Sequence, residues 1–152
     1  MSQLTPITIR SAGPADRKAV ESLLTRTGLP IDGVADHLDH FAVAVDGDAV
    51  IGSAGLEVYG PHALLRSVAV LPERQHSGLG RLLIETALEA ARRDKLASVT
   101  LLTTTAADYF PRFGFRRIEQ SAAPEAVKAS TQFRGVCPST AAAMLLEFNQ
   151  EN

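Results

Sequence analysis

Residues 68–84 read VAVLPERQHSGLGRLLI, and this stretch decides the fold. Its first residues have the apolar, β-branched composition of a strand end. From Leu79 the apolar residues recur at helical spacing, which predicts an amphipathic helix over Leu79–Lys95. Between the two, Gly78 and Gly80 permit a tight turn whose successive N–H groups face one point, at the positive end of the helix dipole. Such a turn is suited to holding a pyrophosphate.

The two glycines have a simpler interpretation, in which they only shape a strand-to-helix connection. A dinucleotide-binding turn of the Rossmann type fits less well, because its G-x-G-x-x-G pattern is absent. The turn also follows several β-rich runs, whereas the Rossmann motif follows the first strand of its domain.

Upstream of this stretch, the hydrophobic pattern predicts a strand, a helix, a loop and then an antiparallel meander of three strands. In order, these are a strand through Ile7 and Ile9, a helix announced by Pro14 and Asp16, a loop with a short helix over 28–40, and strands at Phe41–Val45, Val50–Tyr59 and Ala63–Val70. The sequence Asp46-Gly47-Asp48 is a good hairpin signal, because glycine accepts a positive φ.

Downstream, the long helix should carry Leu82, Leu83, Ala87, Ala90 and Ala91 on its apolar side. The elements predicted after it are a strand at Val99–Thr103, a short helix at Ala106–Phe113, a strand at Phe115–Ile118, a helical stretch at Glu125–Ser130 and an irregular stretch at Phe133–Ser139. For Ala142–Phe148 we favour a final strand; the alternative is a helix turn, which alanine and leucine suit better. The long helix and its flanking strands form a βαβ unit, so those strands should be parallel. The predicted fold class is α/β with a mixed sheet, an antiparallel meander joined to a βαβ unit.

Length and composition predict one globular domain over residues 1–152, with 45% hydrophobic and 21% charged residues. A formal net charge of -2 argues against nucleic acid or an anionic membrane as the partner. The single cysteine, Cys137, cannot form an internal disulfide, and no Cys/His cluster has zinc-site spacing, so no metal is predicted. No signal peptide or membrane span is found in the pattern, which favours a cytoplasmic location.

The turn Gln75-x-x-Gly78-x-Gly80 resembles the acyl-CoA loop of the GCN5-related N-acetyltransferase (GNAT) superfamily, whose pattern is Gln/Arg-x-x-Gly-x-Gly/Ala. The preceding strand, the following helix, Ala106 and the run FPRFGF at 110–115 also lie at the separations of that superfamily. The likeness covers about residues 5–118. It implies a sheet that splays between the strands at 63–70 and 99–103, with acetyl-CoA as the co-substrate.

The resemblance also implies a set of coenzyme contacts, in which pantetheine pairs with strand backbone and loop amides hold the pyrophosphate. The residues implied are Val68, Ala69, Val70, Gln75, His76, Ser77, Gly78, Leu79, Gly80, Arg81, Thr103 and Phe110. Thr103 has a second interpretation, as a strand end and helix N-cap.

Acetyl transfer to an amine requires that the amine lose its proton and that the CoA sulfur be stabilised as it leaves. Glu57 lies near the end of a strand, at a position like that from which many GNAT enzymes supply a general base; its alternative is a solvent-facing carboxylate. The usual tyrosine acid is replaced here by Phe110. The adjacent Tyr109 is the candidate acid. On a helix its side chain would point about 100° away from that of Phe110, so its alternative role is that of an aromatic packing residue.

Four stretches together resemble the acetyltransferase subfamily associated with arsenic-resistance gene clusters. They are GLEVYG at 55–60, LLRSV at 64–68, LLTTTA at 101–106 and the spaced residues Gln132, Phe133, Cys137 and Pro138. The resemblance implies N-acetylation of a small glutamate-analogue toxin, of the type of phosphinothricin or arsinothricin. Cys137 as an arsenic ligand is disfavoured, since one thiol makes a poor site and a lone cysteine is more often a small buried apolar residue.

Such a substrate is anionic, so its pocket should offer cations. Arg66 is the first choice, because arginine grips a carboxylate in bidentate fashion; its alternative is a surface strand charge. Ser67 beside it, and Phe133 and Arg134 in the C-terminal segment, complete the predicted substrate contacts.

Three functions remain open at this stage. They are a small-molecule N-acetyltransferase, an N-acetyltransferase of proteins or peptides, and an acyl-CoA-binding sensor without catalysis, which the Phe110 departure keeps open. The partner expected is a small-molecule amine. Many members of the superfamily form homodimers, and the resemblance extends this expectation to the present chain, but no apolar stripe in the sequence requires it.

Overall fold

Apolar runs in the first half of the chain form four strands, of which the last three are joined by short turns. A computed structural model of the protein describes residues 6–136 and 140–148. Its strands are β1 Ile7–Ser11, β2 Phe41–Asp46, β3 Ala49–Tyr59, β4 His62–Val70, β5 Ser98–Thr103, β6 Arg116–Ile118 and β7 Ala142–Glu147. Its α-helices are α1 Arg17–Arg26, α2 Val34–His37, α3 Leu79–Arg93 and α4 Glu125–Lys128.

Within the described residues, the strands form a seven-stranded mixed sheet in the order β1-β2-β3-β4-β5-β7-β6. The pairs β1/β2, β2/β3, β5/β7 and β6/β7 are antiparallel, and β4/β5 is parallel across the α3 connection. The parallel register joins His62–Leu65 to Ser98–Leu101, although β4 continues to Val70. The predicted mixed α/β fold, with a meander joined to a βαβ unit, is therefore confirmed.

The chain divides into two compact units. The first comprises Met1–Gly55 and Ser67–Ala87, and the second comprises Leu56–Arg66 and Leu88–Asn152. Strands β3 and β4 and helix α3 each contribute residues to both units. The single domain over 1–152 stays a prediction.

The core of the first unit forms where the apolar face of α1 packs against β2. It contains Val20, Leu23, Leu24, Phe41, Val43 and Val45, all buried. Strand β3 passes so close to Phe41 that a Cβ on Gly55 would overlap the Phe41 ring. Glycine at this position is therefore required by packing.

The core of the second unit contains buried residues of β5 and β7, such as Val99, Leu101 and Met144. Phe110 and Phe115 are also buried there, with ring centroids 5.7 Å apart in an edge-to-face arrangement. No helix in the described part of the chain is long and apolar enough to cross a membrane.

Helix α3 differs from its prediction in which residues are buried and in where the helix ends. Leu82, predicted on the apolar side, is 52% exposed. The buried side is Leu79, Leu83, Ile84, Ala87, Leu88 and Ala91. Successive side chains on an α-helix are rotated by about 100°, so Leu82 points away from the buried side although Leu83 lies on it. The helix ends at Arg93, two residues early, and Lys95 adopts a left-handed conformation with φ 59°.

The predicted helix over Ala106–Phe113 is also shorter than expected, since only Phe110–Phe113 form a helical turn, of the 3₁₀ type. Pro111 explains this, because proline has no N–H and cannot sit inside an α-helix that began at 106. Helix α4 and strand β7 confirm the last helix and strand within two residues of the predicted ends. Residues 132–136 have no regular helical geometry, because the backbone angles of Arg134 and Gly135 are non-helical, and 137–139 lie outside the described residues.

Candidate active site

The Gln75–Gly80 loop connects β4 to α3 and lies in the first unit. His76 and Gly78 both adopt the left-handed conformation, with φ 67° and 84°. Nothing lies within 4 Å of a Cβ built on Gly78, so glycine is favoured there by its backbone conformation and not by crowding. These two left-handed residues, on either side of Ser77, lie where the chain turns from β4 into α3.

Side chains of the loop and its neighbours brace this turn. The Gln75 side-chain amide donates to the Val70 carbonyl at 3.0 Å, and the Ser77 hydroxyl donates to the Arg74 carbonyl at 2.6 Å. Arg74 also forms an ion pair with Asp46 at the end of β2. The conformation of the loop is thus stabilised by contacts within the chain. Gln75 contributes through its hydrogen bond to the carbonyl of Val70 in β4.

Helix α3 begins at Leu79, and its first intrahelical bond runs from the Leu82 N–H to the Gly78 carbonyl at 3.2 Å. The N–H groups of the preceding residues in the first turn have no partner within an α-helix. Fifteen helical residues place the positive end of their dipole at the same point. A Cβ on Gly80 would meet Val70 Cγ2 at an ordinary 3.7 Å, so packing does not require glycine at 80. The geometry suits an anion that approaches the backbone closely.

A buried polar cluster lies in the second unit, on the β3–β4 hairpin. The Arg66 guanidinium donates to Glu57 Oε2 at 2.7 Å, and the two side chains are 2% and 1% exposed. The Tyr59 hydroxyl donates to Glu57 Oε1. Neither surface alternative from the sequence holds, because Glu57 and Arg66 are both buried.

Tyr59 is the half-buried member of this cluster. Burial raises the pKa of its phenol first, and the hydrogen bond to Glu57 and the charge of that carboxylate raise it further, against a lowering by Arg66. The phenol therefore remains a hydrogen-bond donor at neutral pH. Sequence reasoning missed Tyr59, although its i,i+2 spacing from Glu57 in a strand placed both on one face.

Strand β4 contains an irregularity at Ser67, which belongs to the first unit. Ser67 has φ 59°, a left-handed conformation inside a strand. The hydroxyl of the fully buried Ser53 donates to the Ser67 carbonyl at 2.7 Å. The sequence carries no signal for this contact, because serine does not favour positive φ.

The predicted coenzyme contacts Val68, Ala69 and Arg81 lie in the first unit, whereas Thr103, Tyr109, Phe110, Phe133 and Arg134 lie in the second. The Thr103 hydroxyl accepts the Ala106 N–H at 3.0 Å, as a cap does. The Tyr109 ring is half-buried, packs edge-on against Phe110 and Phe113, and carries the Arg112 guanidinium 4.3 Å above its centre. Phe133 is half-buried and Arg134 exposed. Their roles stay predictions, and Cys137 lies outside the described residues.

Comparison with known proteins identifies the family. A family model described as an acetyltransferase (GNAT) domain matches residues 37–117, more than half of the chain. The chain therefore belongs to the GNAT acetyltransferase family. A Chlorobaculum tepidum protein named as an N-acetyltransferase, CT2212, is 32% identical over 98 residues. That match covers 64% of this chain and 63% of the relative, so the chain spans less than two thirds of that protein.

Two solved structures share the fold. N-acetylglutamate synthase from Neisseria gonorrhoeae, complexed with coenzyme A and N-acetyl-glutamate, superposes with a TM-score of 0.80 and 18% identity over 98% of this chain and 37% of that one. The ribosomal-protein-S18-alanine N-acetyltransferase from Escherichia coli gives a TM-score of 0.74 and 20% identity over 97% of each chain. Coenzyme A in the Neisseria structure agrees with the predicted co-substrate.

Proposed function

We propose that this GNAT domain transfers an acetyl group from acetyl-CoA to the amino group of a small molecule. The observation that carries the proposal is the braced Gln75–Gly80 loop at the start of α3, with Gly78 left-handed and the helix dipole behind it. Such an arrangement is suited to a diphosphate, because N–H groups without an intrahelical partner and the positive end of the dipole meet at the start of a helix. The backbone of β4 at Val68 and Val70 would pair with the pantetheine arm.

The reaction needs a proton acceptor and a stabilised leaving group. The acceptor nitrogen attacks the thioester carbonyl carbon, the C–S bond breaks, and the nitrogen gives up one proton while the CoA sulfur gains one. We assign the proton from nitrogen to Glu57, whose carboxylate is fixed by Arg66 and Tyr59. Tyr109 remains the proposed donor to sulfur.

We propose a glutamate-like acceptor, such as phosphinothricin or arsinothricin. The resemblance of residues 55–60, 64–68, 101–106 and 132–138 to the arsenic-resistance subfamily supports this, and so does the N-acetyl-glutamate bound by the Neisseria relative. Arg66 and Arg134 are the proposed cations for the acidic groups, with Ser67 and Phe133 beside them. Because Arg66 already faces Glu57, Arg134 is the more accessible of the two.

The Escherichia coli relative acts on a ribosomal protein, so a protein or peptide acceptor is the second candidate. A coenzyme-binding sensor without catalysis is the third, because Phe110 occupies the position of the usual tyrosine. A cytoplasmic location and a homodimer also stay predictions.

The coenzyme site is tested with Gly78→Ala. Alanine at φ 84° carries a left-handed penalty of roughly 1–2 kcal/mol, so we expect the Kd for CoA in calorimetry to rise about tenfold. Gly28→Ala is the matched control, since Gly28 has φ 78°, no atom within 4 Å of a built Cβ, and no place in the loop. It should lose similar stability and keep its affinity for CoA. Equal affinity in both variants contradicts the assigned loop.

The acceptor is tested by thiol release from acetyl-CoA over glutamate analogues, other amino acids, polyamines and peptides. We expect the highest kcat/KM with glutamate analogues, and a drop in kcat with Glu57→Gln. A preference for peptides would establish the second candidate. CoA binding without turnover of any amine would establish the third.

A further inference from the structure

Ser67 has a conformation that its residue type does not favour. Among the described residues, Ser67, His76 and Lys95 are the non-glycine residues with positive φ. His76 lies in the Gln75–Gly80 loop and Lys95 follows the end of α3, whereas Ser67 lies inside a strand. A residue with a Cβ in this conformation relaxes toward extended backbone unless its surroundings hold it.

The group that holds Ser67 is on the neighbouring strand. Ser53 of β3 is fully buried, and its hydroxyl donates to the Ser67 carbonyl at 2.7 Å. A serine hydroxyl has one hydrogen to give, and here it is given to this carbonyl. Both residues belong to the first unit, which also contains the Gln75–Gly80 loop.

The hydrogen bond fixes more than the carbonyl. The Ser67 carbonyl and the Val68 N–H belong to one planar trans peptide, so an atom that orients the carbonyl sets the opposite direction for the N–H. A hydrogen bond accepted by the carbonyl also polarises the peptide and strengthens its N–H as a donor. Val68 is half-buried, whereas its neighbours Ser67 and Ala69 are buried.

We infer that Ser53 is a positioning residue for the coenzyme: its hydroxyl holds the left-handed Ser67, and so presents the Val68 N–H to the pantetheine arm of acetyl-CoA. The inference rests on the proposed function and adds to it a residue outside the predicted site. Ser53 touches no reactant. It acts through the Ser67–Val68 peptide.

The test measures CoA binding by calorimetry, which does not depend on turnover. Ser53→Ala should raise the Kd for CoA about tenfold, and the KM for acetyl-CoA by the same factor, with kcat changed by about twofold or less. Ser98→Ala is the matched control, because Ser98 is a buried strand serine whose hydroxyl hydrogen-bonds to His62 at 2.7 Å. It should leave CoA affinity within about twofold. Ser53→Cys, with its weak S–H donor, should be intermediate and replaces Ser53→Ala if that variant does not fold.

A second arm repeats Ser53→Ala in a Ser67→Gly background. Glycine accepts a positive φ without help, so the loss of affinity caused by Ser53→Ala should shrink to about threefold or less. An unchanged Kd in Ser53→Ala overturns the inference, as does an equal loss in Ser98→Ala or in the glycine background. If the wild-type protein itself binds no CoA, the proposed function and this inference both fail. Wild-type binding with an unaffected Ser53→Ala removes the inference alone.

Discussion

The carboxylate of Glu57 and the guanidinium of Arg66 face each other with almost no contact with solvent. Removal of two charges from water is costly, and their attraction together with good hydrogen bonds offsets that cost. The pair is therefore sensitive to loss of one partner, because the remaining charge stays buried and uncompensated. Arg66 also fixes the orientation of the Glu57 carboxylate, the proposed proton acceptor.

We predict that Arg66→Met lowers the free energy of unfolding by about 3–5 kcal/mol in urea. Glu57→Gln combined with Arg66→Met should restore much of this loss, since no unpaired charge then remains. Arg17→Met is the control, because the Arg17–Glu21 pair is largely exposed and should cost about 1 kcal/mol or less. Equal losses for Arg66→Met and Arg17→Met would contradict the burial of the pair.

Sequence reasoning singled out Glu57 and Arg66 but gave them separate roles. Their contact depends on how β3 and β4 fold back at Gly60 and Pro61, since the two residues are nine positions apart in the chain. Residue types and spacing within one strand contain no information on such a cross-strand pair. The turn at Gly78 and Gly80 in the Gln75–Gly80 loop was easier to predict, because residues adjacent in the sequence determine it.

At the level of elements, the entry into α1 has a charged brace. The Asp16 carboxylate accepts the Gly13 N–H at 2.8 Å and pairs with the Arg10 guanidinium through contacts of 2.8 and 3.0 Å. Arg10 chiefly, and then the Gly13 N–H, lower the pKa of Asp16 from 3.8 to about 2. Pro14 and Asp16 thus mark the start of this helix, as the sequence predicted.

We predict that this brace contributes stability that is lost in acid. A lowered pKa means that the folded state holds its proton less tightly than the unfolded state, so the contribution is full above about pH 4 and is lost as the pH falls through 2. Asp16→Asn should cost on the order of 1 kcal/mol at pH 7, a figure that allows for solvent screening of the half-exposed Arg10, and progressively less as the pH falls below 2. Urea unfolding of both proteins across this range measures the difference. Arg10→Met should remove most of the pH-dependent part; a difference that is constant with pH refutes the assignment.

Other elements show what periodicity alone misses. The existence of α3 follows from its pattern, but the choice between Leu82 and Ile84 for its buried side depends on where the sheet lies. The segment 106–113 has helix-forming alanines, yet Pro111 limits it to one short turn. Local propensity sets the type of element more reliably than its ends.

For the whole molecule, the net charge of -2 means that an anionic coenzyme must be attracted by local dipoles and not by overall charge. The loop at the start of α3 is the proposed source of this attraction. A ligand that binds only the folded state stabilises the fold as a whole.

We predict that CoA at 100 times its Kd stabilises the folded protein by about 2.7 kcal/mol. At roughly 2–4 °C per kcal/mol, the melting temperature should rise on the order of 8 °C in a thermal scan. Adenosine 5′-monophosphate, which lacks the diphosphate and the pantetheine, is the control and should give a much smaller rise. A melting temperature that CoA does not change would contradict the proposed coenzyme site.

The strand order was the least predictable feature at this scale. Meander and βαβ rules place β2 to β5 from the sequence, because strands joined by tight turns pair with each other and a helical crossover returns a parallel strand. No local pattern announces that β7 pairs with both β5 and β6. That placement depends on contacts far apart in the chain.

The position of β7 has a consequence for biosynthesis. In the described sheet β6 is bonded to β7, which is made after it. At a translation rate of ~5–20 residues per second, β6 emerges from the ribosome on the order of a second or more before its partner strand emerges. During that interval its backbone edge is open to chaperones or to other nascent chains.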